Sequence, residues 1–366
     1  MTTLWWAQIK SVIRLEMRKT FFARRGLWIY VLALLPLLLF IAHTAVVSHE
    51  RERSAQIARQ SGKTLTYQDL LAVRPGMTTQ EVVNLLGKPP VNSRWTEEKP
   101  LDAGQVAIIP HESYHYSDGT NDLYVDLSDG QVTGIHIHEG NDLREDSIVF
   151  AGVFQFFYIR LAIFFGCLGI FMNLFRGEML DKSLHFYFLA PMRREVLMVG
   201  KFLAGLLATC VIFVTSELLQ IIAFSWAFSP NVREVYLYQS HGLAQAAAYL
   251  GITALACLGY GSFFLAAGML FRNPILPAGA ILIWEGLNPF LPAVLKKFSV
   301  IYYLRSLCPV DIPTPPGTPP LLALLVSNPD PVSAPVAILG LAIVALLVLY
   351  VSSFQVRRME INYTTE

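Results

Sequence analysis

The chain has 366 residues, 54% of them hydrophobic and 15% charged. Soluble globular chains carry about 25% charge, so the composition excludes an ordinary soluble protein, and a net charge of +1 offers no bulk basic character for nucleic acid. The mean hydropathy of +0.47 reflects recurrent apolar runs, each near the roughly 20 residues that a membrane-crossing helix needs.

Residues 1–27 come first and are basic, with Lys10, Arg14, Arg18, Lys19, Arg24 and Arg25 against Glu16. Trp5, Trp6, Ile9, Val12, Ile13, Met17 and Phe21 recur at helical spacing between them, which predicts an amphipathic helix lying in the lipid headgroup region. The apolar run 28–48 follows; it is too long for a signal-peptide core and no clean Ala-x-Ala site follows it, so it reads as an uncleaved first span. Further spans are expected at 153–175, 201–228, 243–271, 274–295 and 335–354. The segment 176–201 carries five Lys/Arg against three Asp/Glu. Together with the basic N-terminus it predicts, by the positive-inside rule, that both termini of a six-span chain face the cytoplasm.

Residues 49–147 have a different character, with nine Lys/Arg and sixteen Asp/Glu. Thr78-Thr-Gln-Glu81 reads as a capping box that opens a short helix through Leu86, with Gly87 at its stop. Ser113–Tyr116, Leu123–Leu127 and Val132–His138 alternate as strands, with Asp118-Gly119 and Asp129-Gly130 at the turns. A small extracytoplasmic α+β domain is expected, inserted into an otherwise all-α polytopic membrane protein. His111, His115, His136 and His138 invite a metal reading, but exposed sheet histidines are favoured. The Pro-rich stretch 296–334 is expected outside the membrane without regular helix, and its Leu321–Val326 as a re-entrant or interfacial piece. Cys167, Cys210 and Cys257 in apolar runs, and Cys308 in that stretch, read as small hydrophobes.

No catalytic constellation is legible. Ser61-Gly62-Lys63-Thr64 resembles the end of a P-loop, but Ile57 stands where its first Gly is needed. Arg160, Glu217 and Glu285 are ionisable residues within apolar spans, where such groups pair or line polar paths. Similar depths on consecutive spans predict that Arg160 and Glu217 meet.

The stretch 176–202, with Glu178, the Lys182–Leu189 segment, Pro191 beside Arg193 and Arg194, and Gly200-Lys201, resembles the cytoplasmic coupling loop in the membrane subunit of type-2 ATP-binding-cassette (ABC) exporters. The resemblance extends to the N-terminal amphipathic helix, the six spans and an outer insertion between spans five and six. It implies a non-enzymatic permease in the bacterial inner membrane, working as a homodimer or beside a related permease. Glu178, Lys182, Phe186, Tyr187, Phe188, Pro191, Arg193 and Arg194 would then seat a separate cytoplasmic ATPase that binds ATP and Mg, the chain itself holding no cofactor. The inserted segment, through Pro75-Gly76-Met77-Thr78 and Leu86-Gly87-Lys88-Pro89, resembles the small outer-membrane-assembly lipoprotein domain of the OmlA/BamE kind and implies an extracytoplasmic protein partner. The alternative is a membrane-anchored scaffold or sensor that transports nothing and acts through this domain.

Overall fold

The computed structural model describes residues 2–22, 26–100, 106–140, 143–180, 192–271, 275–314, 317, 319 and 332–358. It divides into two compact units: Met1–Phe40 with Glu145–Phe224 and Glu234–Glu366, and Ile41–Arg144 with Ser225–Arg233.

The first unit is helical. Helix α1 spans Thr2–Phe22 and α2 spans Leu27–Gln60; the part of α2 up to Phe40 belongs here. In the insertion lie α3 (Tyr67–Leu71) and α4 (Thr79–Leu86). After it, α5 (Leu143–Gly152) continues through π-helical turns at Val153–Ile163 into α6 (Phe164–Leu180). Then come α7 (Arg194–Trp226), α8 (Gly242–Leu270), α9 (Ile275–Gly286), α10 (Val300–Ser306) and α11 (Ala334–Arg358). Helix α8 is the hub, packing along both α6 and α11. Its Gly268 lets it close on α6, because a Cβ there would stand 3.0 Å from the Met172 Cα.

Among the described residues five helices, not six, are long and apolar enough to cross a membrane: Leu27–Gln60, Leu143–Phe175, Arg194–Trp226, Gly242–Leu270 and Ala334–Arg357. These coincide with five of the expected spans and fit a multi-pass membrane protein. The run 274–295 does not become a sixth, because α9 stops after 12 residues. At about 1.5 Å per residue that is about 18 Å, short of a hydrocarbon core of about 30 Å. Gly286 and the prolines at 289 and 292 end it, and a 3-10 turn at Asn288–Phe290 follows. The stretch expected to lack helix contains α10, whose Val300, Ile301 and Leu304 are buried. Proline bars helix only from Pro309 onward, and α10 precedes it. Leu321–Val326 lies outside the described residues.

The second unit is a four-stranded antiparallel meander, β1 (Val91–Pro100), β2 (Val106–Ser117), β3 (Asn121–Ser128) and β4 (Gln131–Glu139), in that order. Leu123, Val125 and Leu127 of β3 share one face with Tyr116 and form a core with Leu70, Val82 and Leu86. Thr78 makes the predicted capping box with Glu81. At the β3–β4 turn Asp129 and Gly130 both have positive φ, 50° and 76°, the conformation that Asp-Gly supplies in tight hairpins. Strand β1 went unread because residues 92–96 are exposed on an edge strand and carry no apolar alternation.

The other sheet face meets the continuation of α2. Ser54 donates to Asp122 Oδ2 at 2.6 Å, and His115 Nε2 lies 3.1 Å from Asp122 Oδ1. Burial works to raise the Asp122 carboxyl, but polar contacts led by the hydrogen bonds from His115 and Ser54 outweigh it and hold the group below its usual value. Hydrogen bonds from Thr66 and Thr78 lower Asp69 and Glu81 likewise. Carboxyls depressed by folding contribute stability above their unfolded values of roughly 4 and lose it as pH falls through the folded ones. A fragment spanning 41–144 should therefore melt lower at about pH 3 than at about pH 7, with Asp122→Asn removing part of that dependence in thermal circular dichroism. A melting temperature indifferent to pH would contradict it.

Candidate functional site

Residues 181–191 lie outside the described residues, and with them the expected coupling residues Lys182, Phe186, Tyr187, Phe188 and Pro191. The helix ends that flank the segment are described, and a buried charge cluster joins them. Lys201 of α7 is 0% exposed. Its ammonium donates to Glu16 Oε1 at 2.7 Å and to the Leu174 carbonyl at 2.8 Å, and stands 2.8 Å from Glu178 Oε2. Glu178 Oε1 accepts from Lys19 at 2.9 Å. Lys19, Lys201, Glu16 and Glu178 thus link α1, α6 and α7.

The local sequence dictates this arrangement. Val12 and Glu16, one turn apart, are the buried positions among the described side chains of α1. Gly200 lies beneath Val12, and a Cβ there would stand 3.0 Å from the Val12 Cβ. Glycine lets α1 approach closely enough for Glu16 to reach the next residue, Lys201. Burial raises the Glu16 carboxyl against the opposing pull of Lys201. Burial acts on Glu178 in the same sense, but Lys201 and Lys19 together outweigh it and hold that carboxyl below its usual value. Glu178, expected among the coupling residues, is buried in the cluster. Arg193 and Arg194 also have intramolecular contacts: Arg193 lies over the Trp5 ring at 5.2 Å, and Arg194 donates to the Arg357 carbonyl at 2.9 Å. Sequence reasoning missed Glu16 and Lys19. The signal was Glu16 itself, the lone acid of a basic helix, four residues after Val12.

Within the apolar helices the expected Arg160–Glu217 pair is not formed. Both Glu217 oxygens are buried without a hydrogen-bond partner among the described residues, and Arg160 lies over the Phe156 ring at 5.2 Å. Arg160 and Tyr260 instead line a cavity of about 260 Å³ with Glu285. Equal depth did not bring the two charges together, because depth fixes only one of the coordinates a contact needs. Glu285 has a definite task. Its carboxylate accepts from Ser299 Oγ at 2.9 Å, Val300 N at 2.9 Å and Ile301 N at 2.8 Å. It caps the N-terminus of α10, where the first backbone N–H groups have no helical partner.

Comparisons with known protein families, with characterised proteins and with solved structures give no match.

The histidines of the insertion do not converge. By register all four lie on the α2-facing side of the sheet, His115 opposite Tyr124 and Tyr124 opposite His136. His115 is buried rather than exposed as expected, and stacks on Tyr124 at 4.2 Å. His111 stacks on Trp95 at 5.5 Å, while His136 and His138 are exposed. No group of three or more metal-ligating side chains occurs among the described residues.

Proposed function

We propose that the chain is the permease subunit of a type-2 ABC exporter, coupled to a separate ATPase through the segment 181–191 and its flanks. The observation that carries this reading is the Glu16–Lys201–Glu178–Lys19 cluster. A loop that receives a push from a partner must pass it to more than one helix. The cluster supplies that linkage: α6 and α7 enter and leave the loop, and α1 is clamped to both. Such a triad moves as one body, the kind of element that rigid-body switching requires. Two copies, or one copy and a related permease, would enclose the path across the lipid. The insertion would stand on the outer side, in the manner of the OmlA/BamE kind of domain, and meet a protein partner there.

The test is purification of the tagged full chain from its native membrane. An ATPase should accompany it, and reconstitution with the chain should raise that enzyme's ATP hydrolysis. Single-cysteine labelling from outside should reach 62–140 but not 182–194. A chain that brings no ATPase, or labelling of 182–194 from outside, defeats the reading and favours a scaffold acting through the insertion.

A further inference from the structure

A second polar centre lies inside the helical unit, apart from the Lys201 cluster. Glu217 on α7 is 0% exposed, and neither carboxylate oxygen has a hydrogen-bond partner among the described residues. The same is true of three other buried oxygens: Gln155 Oε1, Tyr249 Oη and Thr253 Oγ1. They come from the π-helical turns at Val153–Ile163 and from α8. Tyr158, one turn beyond Gln155, donates to the carbonyl of Phe213, one turn before Glu217, at 2.6 Å. Tyr249, one turn before Thr253, stacks edge-on against Phe154 with centroids 4.7 Å apart. The Gln155 amide nitrogen is engaged by the Val310 carbonyl at 3.3 Å, which leaves the oxygen end unmatched.

These unmatched atoms are oxygens, Glu217 brings the one formal negative charge among them, and the unmatched Nε of Arg305 lies in the segment that carries Cys308. A carboxylate removed from water without a partner costs several kcal/mol even after relaxation, and each buried neutral acceptor adds to that. A single positive charge that is small enough to enter offsets the carboxylate's share of that cost. We propose that Glu217 is the anionic centre of an intramembrane site for one monovalent cation, either a proton or an alkali ion. Among the described residues the titratable groups within electrostatic reach of Glu217 are Tyr158, Tyr249 and Cys308. All three residue types are ordinarily neutral near pH 7, so none supplies the countercharge. Arg305 and Asp311 act on Cys308 from its own segment. Gln155 and Tyr158 sit in π-helical turns, an irregularity that costs helix stability and recurs where side chains must be aimed.

The inference does not depend on the exporter reading, and its test needs neither substrate nor ATPase. The full chain in lipid nanodiscs is melted in two series, with sodium or potassium titrated against choline at fixed pH and ionic strength, and with pH varied in choline alone. Binding to the folded state alone raises the melting temperature with ligand. One series should show a rise of several degrees that Glu217→Gln removes, the alkali series identifying an ion and the pH series a proton. If neither added alkali ion nor falling pH raises the melting temperature, or Glu217→Gln rises as much as the parent chain, the site does not exist. Thr253→Val keeps the carboxyl and carries the same test should Glu217→Gln not fold. It should shift the half-saturation point of the responding series at least threefold, and an unshifted midpoint overturns the proposal.

Discussion

Lys201→Met should destabilise the helical unit by about 3–5 kcal/mol, the usual cost of removing one member of a buried ion pair. The methionine fills most of the volume, so the loss is electrostatic: Glu16 and Glu178 remain buried without the ammonium that both meet. Two further measurements separate this from general disruption. Lys19→Met should cost no more than about 1 kcal/mol, because its side chain is half exposed and the pair is screened. The Lys201→Met deficit should shrink as pH falls toward about 5, because stranded carboxyls can take up protons. The Glu16→Gln, Lys201→Met double variant should lose less than the two single losses summed. Unfolding in mixed micelles reads the stability, and protease cleavage within 2–22 reads whether α1 has come loose. If Lys201→Met were no worse than Lys19→Met, the cluster would not be what holds α1 to α6 and α7.

What could be read from the sequence follows from which interactions are periodic. The apolar runs and the Leu123, Val125, Leu127 alternation announce themselves because burial acts on every turn or every second residue. Thr78 and Glu81 were legible because a capping box is local. Glu16 and Lys201 were not, although both were in plain view, because their meeting depends on how two helices 185 residues apart in the chain approach. The 274–295 run misled for a related reason. Its hydropathy is that of a span, and only Gly286, Pro289 and Pro292 together interrupt it. Glu285 gave the residue but not the role, since its partners are backbone N–H groups that no side-chain pattern reveals.

That role supplies the second large effect. Glu285→Leu should cost about 3–5 kcal/mol, because it leaves the Val300 and Ile301 N–H groups and the Ser299 hydroxyl buried without an acceptor, each at about 1–3 kcal/mol before relaxation. Glu285→Gln should cost less, since the amide oxygen can still accept from the first turn while its NH₂ group has only donors to offer. The order Gln milder than Leu is the decisive feature. A residue that served only to fill space would give the opposite order, because leucine suits an apolar surrounding better than an amide. Helix α10 has seven residues, too few to persist without tertiary support, so its amides should lose protection first. Hydrogen exchange at 300–306 in Glu285→Leu should speed up well before exchange in α8 or α11 does. Equal exchange in all three helices would mean that α10 is held by its buried Val300, Ile301 and Leu304 alone, and that the carboxylate is dispensable.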